Sequence, residues 1–356
     1  MGETFRFLWA DSLGAKTYSI LIEAPRHRVV VDPGIAIMHP TYPAPDDIKR
    51  EMYRRGYSLI RNGMRQADIV IITHYHYDHY LHRLEDIDLY RGKIILAKNP
   101  NNYINDSQRK RAEKFYSTLY ERVLGLDMKE IMLEPVEEEY PDTINDLEEA
   151  LKIDYGDYAE RKKYLLEQGR KWFLKRREKW VSWRRIPEVS EKELTVLFAD
   201  GKTFDFGDLK LVFTKPLFHG IEYSRVGWII SVIIYSNNLK IYYTSDVNGP
   251  IIEDYASMII RENPDILVLD GPPTYTLGYM LNNINLNRAV RNAIRIIEET
   301  SKLKQVFYDH HLTREPLFKE RTLPVWESGK KNNVRVETVA EYYGKTPLVL
   351  LYSNKK

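Results

Sequence analysis

Short apolar runs separated by polar, turn-forming residues dominate the first hundred positions. Phe5–Trp9, Tyr18–Ala24 and Arg28–Asp32 have the length and the β-branched or aromatic content of strands. Residues 46–65 instead place apolar side chains at helical spacing. Ile69–Ile72 is a further short apolar run. We therefore predict three strands, one helix and a fourth strand, in that order.

The alternation of strands and helices continues to residue 308. Further strands are predicted at Lys93–Lys98, Thr195–Ala199, Leu209–Phe213, Gly227–Tyr235, Lys240–Thr244, Ile266–Leu269 and Gln305–Tyr308. Further helices are predicted at Ile251–Glu262 and Ile284–Lys302. This order favours an α/β (α+β) fold, an αββα sandwich in which two β-sheets pack face to face with helices outside.

Residues 127–185 differ from the rest in their charge pattern. Residues 127–160 hold thirteen acidic residues and two lysines, and residues 161–185 hold eleven basic residues and two glutamates. Asp157–Arg185 lacks proline and can form one long helix, and its basic part contains Trp172, Phe173, Trp180 and Trp183. One interpretation is a nucleic-acid contact through 161–185. The other, which we favour, pairs the acidic stretch with the basic one, within the chain or across a dimer, and buries the tryptophans.

Composition narrows the classes of protein. The chain has 356 residues, no cysteine and a formal net charge of +2. A disulfide framework and a cysteine-based metal site are excluded, and the small net charge gives no general attraction to polyanions. No apolar run approaches the roughly 18 residues of a membrane span, and the first residues carry no signal-peptide pattern. We expect a cytoplasmic protein without membrane contact, and a homo-oligomer is compatible with the sequence.

The densest group of chemically active residues follows the predicted strand Ile69–Ile72. Residues 73–80 read Thr-His-Tyr-His-Tyr-Asp-His-Tyr. At a strand end, residues i and i+2 point to the same side, so His74 and His76 can bind one ion together. Asp78 and His79 follow where the chain turns and can face a second ion. A surface loop that binds metal adventitiously is the alternative, but the preceding strand and the interleaved aspartate favour a metalloenzyme.

This His-x-His-x-Asp-His pattern resembles that of the metallo-β-lactamase superfamily. The resemblance calls for three further elements near strand ends, and the chain has them in order as His219, Asp246 and the pair His310–His311. It implies that the first metal is held by His74, His76 and His219. It implies that the second is held by Asp78, His79 and one histidine of the pair, with Asp246 bridging the two ions.

Neighbouring segments refine this ligand set. Asp309–Arg314 resembles the final-histidine segment of the tRNA 3′-processing endonucleases of the superfamily, which favours His310 as the ligand, with His311 as the alternative. Asp32 is either a turn residue or, by resemblance, a partner that orients a metal-bound histidine. Asp270, which precedes Gly-Pro-Pro, is interpreted as a turn residue.

Further segments resemble one uncharacterised archaeal family of predicted metallo-hydrolases. They are Asp11–Gly14, Val31–Gly34, Pro216–Gly220, Ser245–Pro250 and Asp270–Tyr275. The resemblance implies two mixed β-sheets flanked by helices in a single domain over residues 1–356. Residues 100–195 lie outside the likeness and are predicted to be a mostly helical insertion.

The predicted function is that of a dinuclear metal-dependent hydrolase. The resemblance implies two divalent ions, Zn with Mn or Fe as alternatives, a metal-bridging hydroxide as nucleophile, and Asp78 and Asp246 as catalytic carboxylates. A phosphodiester or nucleic-acid-type substrate is favoured. A lactone, ester or amide hydrolase is the alternative, and a non-hydrolytic metal-binding or redox protein is a second one.

Overall fold

The computed structural model describes residues 5–353. The strands are β1 Phe5–Ala10, β2 Tyr18–Glu23, β3 Arg28–Val31, β4 Ile69–Ile72, β5 Ile94–Ala97, β6 Val189–Glu191, β7 Leu194–Phe198, β8 Thr203–Asp205, β9 Leu209–Phe213, β10 Leu217–Phe218, β11 Trp228–Ile229, β12 Val232–Ser236, β13 Leu239–Tyr243, β14 Ile266–Leu269, β15 Gln305–Tyr308 and β16 Arg335–Glu337. The α-helices are α1 Asp46–Gln66, α2 Asp106–Leu124, α3 Met128–Ile131, α4 Glu148–Lys152, α5 Ala159–Ser182, α6 Glu253–Glu262, α7 Asn283–Glu299, α8 Phe318–Arg321, α9 Leu323–Lys331, α10 Val339–Tyr342 and α11 Leu348–Ser353.

Most strands form two seven-stranded sheets. The first has the order β1-β2-β3-β4-β5-β7-β6 and the second the order β16-β15-β14-β13-β12-β9-β8, while β10 and β11 pair separately. Both sheets are mixed: β3, β4, β5 and β7 run parallel, as do β13 to β16, and the remaining pairs are antiparallel.

The side chains of β4 are all apolar and point alternately to its two faces, which shows how the layers are arranged. Ile69 and Ile71 belong to a buried cluster that also contains residues of the second sheet such as Val232 and Val268. Val70 and Ile72 point the other way, into a cluster shared with residues of α1 such as Ile60 and Met64. Because successive strand residues face opposite sides, a strand between two layers must be apolar throughout. The predicted αββα sandwich of two mixed sheets flanked by helices is therefore confirmed.

The strand predictions are exact for Ile69–Ile72, Leu209–Phe213, Ile266–Leu269 and Gln305–Tyr308. The predicted single strand Gly227–Tyr235 is wrong, because the chain forms β11 and β12 instead. The break lies at Ile230 and Ser231, whose backbone N–H groups bond outside the second sheet's ladder, to the Thr73 carbonyl oxygen and the Thr214 hydroxyl oxygen.

The span predicted as a helical insertion, 100–195, contains α2 to α5. Its last residues form β6 and the start of β7, which extend the first sheet, so the helical part ends with α5 at Ser182. Within residues 5–353, no helix has both the length and the apolar character needed to cross a lipid bilayer.

Candidate metal centre

The side chains predicted as metal ligands follow strands that end at one edge of the sandwich. His74, His76, Asp78 and His79 come after β4, and His219 comes directly after β10. Asp246 follows β13, and His310 follows β15. In the second sheet, β13 and β15 run parallel to each other on either side of β14, so the loops at their carboxyl ends lie at the same edge. The loop after β4 of the first sheet meets them there.

The first group of ligand atoms has the composition predicted for metal one together with the bridging aspartate. Its members, whose ligand atoms all lie within 4.8 Å of one another, are His74, His76, His219 and Asp246. The Oδ2 atom of Asp246 lies 3.3 Å from Nε2 of His74 and 3.0 Å from Nε2 of His219.

The second group contains Asp78, His79 and His310, again within 4.8 Å of one another. Asp246 also reaches this group: its Oδ2 atom lies 3.4 Å from Nε2 of His79, and its Oδ1 atom lies 3.5 Å from Nε2 of His310. The carboxylate of Asp246 therefore stands between the two groups, as expected of a bridging ligand. Burial alone would raise the pKa of Asp246, but the surrounding histidines, His79 foremost, lower it well below its ordinary value.

His310 and His311 occupy different places. His310 joins Asp78 and His79, whereas His311 is grouped only with Asp246 and His310 and lines the neighbouring cavity. The Nε2 atom of His311 lies 3.7 Å from Asp246 Oδ2, and its Nδ1 atom lies 3.5 Å from Asp270 Oδ2. This geometry favours His310 over His311 as the counterpart of His79.

Several buried ring nitrogens and one carboxylate oxygen at this point have no hydrogen-bond partner. They are His79 Nε2, His219 Nδ1, His219 Nε2, Asp246 Oδ1 and His310 Nε2. Leaving a buried polar atom unsatisfied costs about 1–3 kcal/mol, so several such atoms in one place indicate a missing partner. Imidazole nitrogens with carboxylate oxygens suit Zn, and Mn or Fe also fit. The residues therefore fit bound divalent metal.

Asp32 holds His79 in place. Its carboxylate is buried and accepts hydrogen bonds from His79 Nδ1 at 2.9 Å, from the backbone N–H and hydroxyl of Thr73 at 2.8 and 2.6 Å, and from the Tyr243 hydroxyl at 2.9 Å. With Nδ1 engaged, Nε2 of His79 is directed at the candidate metal position. This is the contact expected of a residue that orients a metal-bound histidine.

Asp11 makes the equivalent contact with His310, which the sequence interpretation missed. Its Oδ1 atom accepts from His310 Nδ1 at 3.0 Å and its Oδ2 atom accepts from Arg314 Nε at 2.5 Å. Burial raises the pKa of Asp11, but Arg314 and His310 outweigh that effect and lower it. The available signal was its position directly after β1, which parallels that of Asp32 after β3.

Asp270 does more than shape a turn. It accepts hydrogen bonds from the backbone N–H groups of Val247 and Asn248 at 3.1 and 2.7 Å. It thereby fixes the loop that presents Asp246, and it also contacts the Thr244 hydroxyl and His311. The sequence interpretation gave Asp270 a turn role only, whereas the structure shows that it holds the loop that carries Asp246.

A cavity of about 730 Å³ opens beside the two ligand groups. His76, Asp78, His219 and His311 form the part of its lining nearest the candidate metal centre. The helix α5 contributes Leu165, Gln168 and Gly169 to another wall, and residues 273–281 contribute to a third. Part of the region predicted as an insertion thus borders the cavity.

Three aromatic residues of α5 pack inward. Phe173 and Trp180 are buried, and Trp172 stacks on Trp228 with ring centroids 5.3 Å apart and planes 4° from parallel. Stacking of bases on these rings would require this packing to open, so the nucleic-acid contact stays a prediction that rests on exposed basic side chains.

The basic residues of α5 and the following loop have acidic partners in two places. Arg184 and Arg185 pair with Glu134 and Glu138 of the acidic stretch, both at 3.6 Å. Others pair outside that stretch: Arg176 and Lys179 with Asp106, and Lys162 with Glu222. The predicted pairing of the acidic with the basic stretch therefore accounts for only part of the charge.

Comparison with known proteins places these residues in context. The sequence profile of the metallo-beta-lactamase superfamily matches residues 14–81. A UPF0282 protein of Methanopyrus kandleri is 30% identical, over 96% of this chain and 94% of its own. A UPF0282 protein of Korarchaeum cryptofilum is 28% identical, over 98% and 92%.

Solved structures are similar at lower identity. The metallo-beta-lactamase fold protein YhfI from Bacillus subtilis is 12% identical, with 91% of this chain and 87% of that chain covered and a TM-score of 0.40. An isothiocyanate hydrolase from Delia radicum gut bacteria is also 12% identical, with 91% and 94% covered and a TM-score of 0.43.

Proposed function

The chain belongs to the UPF0282 family of archaeal proteins within the metallo-β-lactamase superfamily, and from this membership we propose that it is a dinuclear metal-dependent hydrolase acting on a phosphoester. One observation carries the proposal. The carboxylate of Asp246 lies within 3.5 Å of ring nitrogens from both ligand groups, so one acidic side chain joins two clusters of metal-ligating residues.

The first ion would be held by His74, His76 and His219, the second by Asp78, His79 and His310, and both by Asp246. Such ions, when bound, lower the pKa of a water molecule toward neutrality and offset negative charge that develops on a substrate.

The protein's own side chains prepare this site. Asp32 and Asp11 engage the Nδ1 atoms of His79 and His310, which fixes the tautomer of each ring and leaves Nε2 free to bind. Asp78 lines the cavity, where its carboxylate can accept a hydrogen bond from a water molecule and orient it toward the substrate. We propose Asp78 and Asp246 as the two catalytic carboxylates.

Two features of the cavity support different substrates. The buried guanidinium of Arg314 lines it beside Asp78, which favours a substrate that carries negative charge, as a phosphoester does. Apolar side chains such as Ile221, Met280 and Leu281 also line it, which supports a lactone or ester as the second candidate.

The test is metal content measured together with hydrolysis. Protein purified without added metal should contain about two equivalents of Zn, Mn or Fe per chain and should hydrolyse bis(p-nitrophenyl) phosphate faster than a γ-lactone. Asp246→Asn should lose an ion and nearly all turnover. Asp157→Asn changes an exposed aspartate far along the chain from the ligands and serves as the control. Lactone turnover without phosphoester turnover would favour the second candidate, and protein that binds none of these ions would refute the proposal.

A further inference from the structure

The acidic side chains that line the cavity are already neutralised. Glu222 is buried and bound by Arg288 Nη2 at 2.7 Å and Lys162 Nζ at 2.6 Å. Asp78 is a proposed metal ligand, and its Oδ2 atom lies 3.5 Å from Arg314 Nη2. These are the two carboxylates in the lining. The cavity therefore has no free negative charge to offer a ligand.

Three cationic side chains of the same lining have no such partner. Lys16 lies between β1 and β2, Arg111 lies on α2, and Arg225 lies just before β11. Among the ion pairs formed in residues 5–353, none involves these three side chains. Cations brought from three separate elements to one cavity, without carboxylates to match, are an arrangement that suits an anionic ligand.

Aromatic rings hold both guanidinium groups in place without using up their charge. The Arg111 guanidinium carbon lies 5.2 Å from the centre of the Tyr77 ring, and that of Arg225 lies 4.8 Å from the centre of the Trp172 ring. Such contacts leave N–H groups available to phosphate oxygens. Lys16 is half-buried and lines the same cavity as Asp78 and Arg314.

The rest of the lining includes apolar side chains, and the cavity has the size of a small-molecule site. Leu165, Ile221 and Met280 contribute apolar surface on its other walls. A volume of about 730 Å³ falls within the range of small-ligand pockets. A ligand that contacts both the cationic side chains and the apolar walls must carry an anionic end and an apolar end.

We propose that the cavity selects a small organic phosphate with an apolar or aromatic group, and that Lys16, Arg111 and Arg225 bind the phosphate oxygens. The identity of the reaction rests on the proposed hydrolase function, whereas the selection of the ligand rests on the cavity alone. The substrate class is therefore a small amphiphilic phosphoester rather than a polynucleotide.

Calorimetric binding of two probes to the metal-loaded protein tests this selection. Phenyl phosphate carries the charge, and dimethyl phenyl phosphate is its uncharged counterpart. Phenyl phosphate should bind at least about tenfold more tightly, and Lys16→Met and Arg111→Met should each weaken its binding by about tenfold while leaving the uncharged probe unaffected. Lys110→Met removes a charge from the adjacent, exposed position on α2 and should change neither affinity.

Three results would overturn the proposal: equal affinity for both probes, an equal effect of Lys110→Met, or a single-stranded oligonucleotide that binds more tightly than phenyl phosphate and competes with it. A protein that binds no metal and hydrolyses nothing, yet still binds phenyl phosphate through Lys16 and Arg111, would refute the hydrolase function and support the anion site. A metal-loaded hydrolase whose affinity for phenyl phosphate is unchanged by both substitutions would support the hydrolase function and refute the anion site.

Discussion

The Nδ1 atom of His310 lies 3.0 Å from the Oδ1 atom of Asp11, although 299 positions separate the two residues in the chain. Asp11 directly follows β1, an edge strand of the first sheet, and His310 follows β15 in the second sheet. A carboxylate that follows a strand of one sheet therefore orients a candidate metal ligand that follows a strand of the other. The positions of the ligand side chains thus depend on how the two sheets pack.

Asp11→Asn should loosen the second metal position. Each carboxylate oxygen of Asp11 accepts two hydrogen bonds, Oδ1 from Thr17 N and His310 Nδ1, and Oδ2 from His311 N and Arg314 Nε. An amide must turn its NH₂ group toward two of these donors. We expect metal affinity to fall about 10- to 100-fold, measured by competition with a chromophoric chelator. Unchanged affinity, compared with Asp157→Asn as control, would show that Asp11 does not orient His310.

Removing the metal should lower stability. Without cations, buried histidine nitrogens and an Asp246 oxygen have no partner, whereas bound ions stabilise only the folded state. We expect EDTA treatment to lower the Tm, and restored Zn at about 100 times its Kd to add about 2.7 kcal/mol to the free energy of unfolding. Asp246→Asn should show a much smaller difference between treated and reloaded protein, and a wild-type Tm insensitive to EDTA would contradict the proposed site.

Gly169→Ala should destabilise the wall that α5 gives to the cavity. A Cβ atom at Gly169 would lie 2.3 Å from Cδ2 of Tyr223. Tyr223 cannot move aside easily, because its hydroxyl bonds to Asp142 Oδ2 at 2.7 Å and its ring packs against Phe218. We expect a loss of about 1–3 kcal/mol, despite the higher helix propensity of alanine, in urea unfolding experiments. Lys171→Ala on the exposed face of the same helix should change stability little.

Glu222 should make stability depend on acid pH. Burial raises its pKa, but Lys162 and Arg288 outweigh that effect and lower the pKa from the ordinary value of 4.5 to about 2. Because the folded-state pKa is the lower one, the unfolded chain binds more protons between these values. The stabilising contribution is therefore complete above the unfolded-state pKa and is lost as the pH falls toward 2.

The measurement compares wild type with Glu222→Gln across this pH range. The difference in unfolding free energy should approach about 3 kcal/mol above pH 5 and shrink steadily on acidification. Glu298→Gln, at an exposed glutamate of α7, should show no such trend. A pH-independent difference would assign the effect of the substitution to packing instead of charge.

The local pattern of the sequence determined the strands of the sandwich centre and the order of ligand residues. β4, β9, β14 and β15 were predicted to the residue. β4 and β14 are continuous apolar runs, as expected of strands covered on both faces, and β9 alternates buried with less buried residues. The three-residue edge strands β6, β8 and β16 gave no comparable signal, because each pairs on one side only and none of their residues is buried.

The cluster His74, His76, Asp78 and His79 could be found because metal ligation needs particular side chains at particular spacings. His219, Asp246 and His310 were identified through the resemblance to the metallo-β-lactamase superfamily. The tertiary structure alone decided which carboxylate supports which ligand, as with Asp11 and His310, and which cations stay unpaired beside the cavity, as with Lys16 and Arg111. These relationships join residues far apart in the chain, and no periodicity or spacing encodes them. They arise only when the two sheets and α5 pack against one another.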